Sequence, residues 1–516
     1  MMTPLLLMLT TGPDWRALVE QAITLLMPEM IIIAVACFLL VLELWLTERQ
    51  RRWSAYVSLA GLLAGAVSLI QLFRLLRTTG SAVPGFYDTY VVDEFSLVFK
   101  AIFLLVALFT VALSIKFLDV EREQRGEYYA LVLFATSGMM LMASSTSLLT
   151  IFISFELMAV TTYVLVAYFK SDRRSNEAAM KYFLLGIFSS GVFLYGMSLI
   201  YGLTGETNLE KIAAAISKLP AELLSGFVAT AGMIFIAAGL LFKIAAVPFH
   251  MWCPDAYEGA PSSVTAFMSV GPKAATFAIF ARIFHDGLGG LRGDLTGGTP
   301  GWIGLLVVIS ALTMTWGNLA ALTQTNAKRL MAYSSISHAG YLLLGLIAGN
   351  RTGYTGLVIY LLVYVFMNLG AWGVIIAQRR ADIPGELVDN FNGLIHRHPA
   401  MAVMMTIFLL SLTGIPPTAG FIGKYYLFAG LIETGNRWLV ILAVIAVLNT
   451  AVSLYYYARF IKAMFMGQAT EKEPLALSTS LHTALVAATV LVLLIGVYPK
   501  PFITFTETAA RQLLGL

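Results

Sequence analysis

The stretch Phe242-Lys243-Ile244-Ala245-Ala246-Val247-Pro248-Phe249-His250, followed by Trp252-Cys253-Pro254-Asp255, decides the fold. It lies at the end of a long apolar segment and interrupts it. Proline inside a helix removes a hydrogen bond, and its ring clashes with the preceding turn. In a bilayer the freed backbone has to meet protein or water, because lipid cannot satisfy it. The stretch Leu412-Thr413-Gly414-Ile415-Pro416-Pro417-Thr418-Ala419-Gly420-Phe421-Ile422-Gly423-Lys424 has the same character, with glycines loosening it further. A lysine stands beside each break. Interrupted helices at corresponding positions of two halves mark transporter folds. The two breaks fall in segments five spans apart, which predicts two five-helix repeats. An ordinary proline kink is the plainer alternative.

The rest of the chain supplies the membrane. It has 516 residues, 59% hydrophobic and 12% charged, with mean hydropathy +0.81. A soluble domain carries about 25% charged residues. With about 20 apolar residues per spanning helix, the spans are 22–46, 53–76, 95–118, 128–144, 147–169, 178–203, 226–249, 262–285, 302–322, 328–349, 354–378, 400–431, 438–463 and 479–498. The expected organisation is three N-terminal helices in 1–127, a first repeat in 128–285, a second in 302–463 and a last helix in 464–516. The connecting loops are too short for a soluble domain. The apolar run Leu5–Leu9 lacks a preceding basic residue, so a retained N-terminus is expected rather than a cleaved signal.

Lys and Arg concentrate on cytoplasmic loops. Placing the loop after the first helix in the cytoplasm gives that side the larger share, including Arg49, Arg51, Arg52, Lys116, Arg379, Arg380 and Lys472. Both termini are then expected outside. The net charge of +4 is spread over many loops and forms no basic stripe for nucleic acid. Cys37 and Cys253 lie far apart, and an iron–sulfur cluster needs about four thiolates. No metal-ligand cluster, phosphate-binding glycine motif or nucleophile–base constellation is visible.

The chemistry lies in ionisable residues inside the apolar segments. A charge at a helix centre costs about 2.5–3.5 kcal/mol on insertion scales. Glu156 sits mid-span and is too short to reach the surface. Lys181 stands a few residues into the next helix, close enough to the surface to snorkel, and adjacent antiparallel spans would allow it to approach Glu156. Lys243 precedes the first break, Lys273 is mid-span, and Lys424 follows the second break. A lysine poised between burial and a nearby carboxylate can take up and release a proton. His250, in the first break, and His338 can relay protons between lysines or hydrogen-bond across helices. Lys100, behind Asp93 and Glu94, is expected to snorkel. Glu29 and Glu43, near the ends of the first helix, are expected at the interface.

The first break, continued through Pro261, closely resembles the antiporter-like subunits of respiratory complex I. The run Val264-Thr265-Ala266-Phe267-Met268-Ser269-Val270-Gly271-Pro272-Lys273 is similar to the subunit N branch of that family, the bacterial NADH–quinone oxidoreductase. Lys328-Arg329-Leu330-Met331-Ala332-Tyr333-Ser334-Ser335-Ile336-Ser337-His338 and the second break add to the resemblance, which covers nearly the whole chain. It implies an all-α integral membrane protein of fourteen helices, with two inverted five-helix repeats and broken seventh and twelfth helices. By position, Glu156 matches the family's fifth-helix glutamate, and Lys181, Lys243, Lys273 and Lys424 match its lysines of the sixth, seventh, eighth and twelfth helices. Subunit M differs by carrying glutamate in the twelfth. Subunit L adds a long lateral helix, which is not expected after Leu516.

The resemblance further implies proton translocation in the bacterial inner membrane. It would be driven by quinone reduction elsewhere, with NADH, FMN, iron–sulfur clusters and quinone held by other subunits and no cofactor or metal in this chain. Partners would be subunit M, small membrane subunits and the lipid bilayer. A subunit of a sodium/proton antiporter or of a membrane-bound hydrogenase is the alternative, and a passive scaffold is a further one.

Overall fold

The computed structural model describes residues 15–379, 385–468 and 478–516. The run Leu5–Leu9 and the loop residues Arg380 and Lys472 lie outside the described residues. The chain is a bundle of helices: α1 (Trp15–Leu42), α2 (Trp53–Thr79), α3 (Glu94–Glu121), α4 (Gly126–Ser144), α5 (Leu148–Val166), α6 (Arg173–Thr204), α7 (Phe227–Lys243), α8 (Trp252–Gly259) and α9 (Ser262–Arg282). It continues with α10 (Trp302–Leu322), α11 (Ala327–Ala348), α12 (Arg351–Gln378), α13 (Pro399–Thr413), α14 (Ala419–Glu433), α15 (Arg437–Met466), α16 (Thr479–Val497) and α17 (Lys500–Leu513). Twelve helices among the described residues are long and apolar enough to cross a membrane. This is an all-α, multi-pass membrane protein.

Helix starts follow local capping chemistry. Asp93 accepts from Ser96 N at the head of α3, Asn326 from Lys328 N at α11, and Asn350 from Gly353 N at α12. Large apolar residues such as Leu184 and Phe188 on α6 and Val444 and Leu448 on α15 are exposed and face outward, as lipid-facing surface does. In contrast, α9 and α12 are enclosed by other helices along their length. Between α2 and α3 a small hairpin pairs Val83–Gly85 with Tyr90–Val92. Neither this hairpin nor the amphipathic α17 was anticipated from apolar segment length.

Both expected breaks are present. At the first, α7 ends at Lys243 and the chain turns through Ala245, whose φ is +60°, to α8. The freed groups are met internally: Trp252 Nε1 donates to Phe242 O at 2.9 Å, and Val247 N to Thr313 Oγ1 at 3.0 Å. At the second, α13 stops on Gly414 at φ +90°, and Gly420 N donates to Ser411 Oγ at 3.1 Å. A side chain at Gly414 would collide with Lys424 Cδ, at 2.9 Å from its Cβ.

Two buried ion pairs fasten the N-terminal helices to the bundle, and they correct the sequence reading. Lys100 does not snorkel. It is wholly buried and reaches Glu29 Oε1 at 2.8 Å, and Glu29 is 1% exposed rather than interfacial. Tyr90 closes the triangle, accepting from Lys100 Nζ at 2.7 Å and donating to Glu29 Oε1 at 3.0 Å. The reason is that α1 delivers a carboxylate at the depth of Lys100, so the ammonium finds its counter-charge inside. Glu43 does lie at a helix end, binding Arg51 at 3.2 Å and Gly126 N at 2.7 Å. The second pair is Arg282 with Asp93: one guanidinium nitrogen reaches both carboxylate oxygens at 2.8 and 2.9 Å, while Nε donates to Ala143 O.

Removing one partner of a buried pair costs about 3–5 kcal/mol. Lys100→Met is therefore expected to lower the unfolding temperature of the purified protein sharply. The double change with Glu29→Gln should recover most of that loss. Equal losses in the single and double variants would contradict the pairing.

Candidate functional site

Helix periodicity assembles the first part of the site. Phe155 and Tyr163 stand two turns apart on α5, with Glu156 beside Phe155. Tyr182 on α6 faces them, with its ring 4.6 Å from that of Tyr163. Lys243, the last residue of α7, projects into the box these rings form. Its ammonium lies 4.9 Å from the Tyr163 ring centre and 5.3 Å from those of Phe155 and Tyr182. Aromatic faces hold a cation by about 0.5–2 kcal/mol each. Glu156 lies within electrostatic reach of Lys243. Neither the Lys243 ammonium nor Glu156 Oε1 has a hydrogen-bond partner among the described residues. Glu29 differs in making a direct ion pair with Lys100, although its Oε2 is also without a partner among the described residues.

Lys181 lies elsewhere. Its side chain is 46% exposed and binds Glu177 and Asp255, each at 3.0 Å. The adjacent spans therefore do not join it to Glu156 by an ion pair. Asp255 also takes Arg329 at 2.9 Å, and Arg329 takes Glu258 at 2.7 Å. Sequence reasoning missed these α8 carboxylates. Their signal was two acids directly following a helix break.

A row of polar side chains occupies the centre. Lys273, on the enclosed α9, donates to Ser335 O at 3.0 Å and also contacts its hydroxyl. One turn further along α11, His338 is 2% exposed. Its Nδ1 meets Tyr360 OH at 2.6 Å and its Nε2 meets Tyr457 OH at 3.3 Å. Tyr457 in turn shares a hydrogen bond with Ser334. Lys424 donates to Thr413 O at 2.8 Å, so it caps the last turn of broken α13, and it lies 4.5 Å above the Tyr341 ring. Lys273 and Lys424 both act electrostatically on His338. The spacing Ser334, Ser335, His338, Tyr341 puts all four on neighbouring turns of α11. An imidazole with a hydroxyl at each nitrogen can accept a proton on one side and release one on the other.

His250 sits in the first break, half-buried, with Nδ1 unpartnered and its ring edge-on to Trp316 at 6.1 Å. Among the described residues no hydrogen bond ties it to Lys243 or Lys273. The structure thus groups Lys273, His338 and Lys424, pairs Lys243 with Glu156, and leaves Lys181 and His250 at the margins. Among the described residues no group of three or more His, Cys, Asp or Glu side chains is placed to hold a metal ion.

Comparisons with known proteins place the chain in a family. The family described as NADH:quinone oxidoreductase/Mrp antiporter, TM, matches residues 145–450, a stretch that contains both breaks. NADH-quinone oxidoreductase subunit N 1 of Koribacter versatilis is 47% identical over 487 residues, covering 93% of each chain. A chain of respiratory complex I from Thermus thermophilus with bound aureothin superposes with a TM-score of 0.75 at 34% identity, over 92% of this chain and 98% of that one. A chain of the Mrp complex from Dietzia sp. superposes with a TM-score of 0.81 at 21% identity, over 96% of this chain and 97% of that one, a likeness of fold. The chain belongs to the NADH:quinone oxidoreductase/Mrp antiporter family of membrane subunits, on its subunit N branch.

Proposed function

We propose that the chain translocates protons across a bacterial inner membrane as a subunit of an NADH–quinone oxidoreductase, and does no redox chemistry itself. The observation that carries this reading is the unsaturated Glu156–Lys243 pair, joined in one molecule to the row Lys273, His338, Lys424. Glu156 stabilises the charged form of Lys243 by proximity, with no hydrogen bond to fix it. A small shift of either group therefore changes the proton occupancy of Lys243. Each tenfold change in that occupancy needs only about 1.4 kcal/mol. The proton released passes to Lys273, then through His338 and its tyrosines to Lys424, and leaves on the outer side. Lys181 gathers protons at the cytoplasmic surface, and His250 serves the first break.

The architecture that fits this use has fourteen spans. They are the twelve long helices, α4, and the interrupted α13–α14. Three N-terminal helices occupy 1–127, inverted repeats 128–285 and 302–463, and a last helix 464–516, with both termini periplasmic. Subunit M and small membrane subunits are the neighbours. Flavin, iron–sulfur clusters and quinone lie with other subunits.

The likeness in fold to the Mrp complex supports a second reading, a subunit of a sodium/proton antiporter or of a membrane-bound hydrogenase. Purifying the native complex separates the two: flavin and iron–sulfur subunits accompany an oxidoreductase, and only antiporter subunits accompany the other. In the assembled oxidoreductase, Lys243→Met is expected to abolish NADH-driven acidification of inverted vesicles, followed with a pH-sensitive dye. Undiminished pumping at matched assembly would overturn the proposal.

A further inference from the structure

Two outer helices of the bundle, α10 and α15, each bury one asparagine. Their outward residues, Leu312, Trp316 and Leu319 on α10 and Val447 and Leu448 on α15, are apolar and exposed, whereas Asn318 and Asn449 are buried. Asn318 Nδ2 donates to Asn449 O at 3.1 Å and to Asn449 Oδ1 at 3.3 Å. Asn449 Nδ2 donates to Ile445 O at 3.0 Å and to Thr315 Oγ1 at 3.1 Å. Backbone carbonyls only accept, so these contacts fix the orientation of both amides. Asn318 Oδ1 is left as an acceptor, and Tyr456 OH donates to it at 3.0 Å.

Asparagine commonly hydrogen-bonds one membrane helix to another. A pair serving only to hold α10 against α15 would need nothing beyond itself, but this one reaches the central row by two short routes. The Tyr456 ring lies 4.4 Å from that of Tyr457, whose hydroxyl meets His338 Nε2. Thr450, next to Asn449, shares a hydrogen bond of 3.2 Å with Tyr341 OH, and Asn318 lies beside that hydroxyl. The Tyr341 ring is 6.0 Å from the His338 ring and 4.5 Å from the Lys424 ammonium. One buried ring thus stands against both His338 and Lys424.

Helix periodicity explains how α15 does this. Asn449, Thr450, Ser453, Tyr456 and Tyr457 fall on one face of it. A tyrosine side chain turns about only two bonds, and a hydrogen bond at its far end removes the freedom that remains. An amide also suits the place chemically. It holds a hydroxyl without carrying charge, so it does not compete with Lys424 for a proton as a carboxylate would.

We propose that Asn318 is a positioning residue for the transfer from His338 to Lys424: with Asn449 and Thr450 it sets Tyr341 between the two and Tyr457 against His338. The inference rests on the proton-translocation reading above. In the step it serves, protonated His338 gives up one proton and the neutral amine of Lys424 ends with one. The amides themselves carry none.

The assembled complex carrying Asn318→Leu, Tyr341→Phe or both tests this beside Lys243→Met. At matched assembly, Asn318→Leu is expected to cut NADH-driven pumping at least fivefold and Tyr341→Phe at least threefold. The double variant should lose no more than the worse single one, because both changes act through the same ring. Each should also move the alkaline limb of the pumping–pH profile to lower pH by about half a unit, the size one aromatic face accounts for. A fault of packing alone would leave that limb in place. Should Asn318→Leu fail to assemble, Thr450→Val, which removes a hydroxyl that holds Tyr341, decides by the same comparison. Normal pumping in Asn318→Leu, or losses that multiply in the double variant, would overturn the positioning role and leave the relay standing if Lys243→Met is dead. Undiminished pumping in Lys243→Met would overturn the relay through Lys243, and the comparison of Asn318→Leu with Tyr341→Phe would still decide the positioning role.

Discussion

Hydrocarbon offers no hydrogen bonds, and that constraint sorts every ionisable group in this chain. A charge inside the bundle either makes a direct ion pair or stays costly and easily displaced. Glu29 with Lys100 and Asp93 with Arg282 are of the first kind, held by short direct contacts and by Tyr90 or a backbone carbonyl. Glu156 with Lys243 is of the second kind: the two interact electrostatically, and neither the ammonium nor Glu156 Oε1 has a hydrogen-bond partner among the described residues. The direct pairs fasten helices to one another. In the proposed relay the looser Glu156–Lys243 pair is the one that switches.

The two breaks serve the same constraint. A continuous helix consumes its own backbone groups and offers none to a side chain. Where α13 ends, Thr413 O is free, and Lys424 takes it. Where α7 ends, Lys243 stands at the terminus and faces the aromatic box while Trp252 takes the carbonyl of Phe242. Each break thus places a lysine at mid-bundle while leaving little of the backbone unsatisfied. The enclosed α9 and α12 between them keep Lys273 and His338 away from lipid.

Much of this was legible in the sequence because it depends on one-dimensional features. Apolar length revealed the long helices, and proline with glycine beside lysine revealed both breaks. Glu156, Lys243, Lys273 and Lys424 stood out as charges that no surface could reach. Pairing was not legible. Lys100 looked like a snorkelling residue because its counter-charge, Glu29, lies in another helix. The position of Lys181 allowed either a surface placement or an approach to Glu156, and only the structure shows it at the surface, on Asp255 of α8. The short hairpin and α17 escaped notice because neither has the length of a span.

The account turns on Lys243 giving up its proton, rather than lending a fixed charge to Glu156. Arginine separates these two roles, since it keeps the positive charge and does not deprotonate in proteins. The most direct measurement is therefore NADH-driven proton pumping by the assembled complex carrying Lys243→Arg, at matched assembly. The account predicts a loss of at least tenfold. Pumping near the unmodified rate would contradict it, because a permanent cation beside Glu156 would then be sufficient.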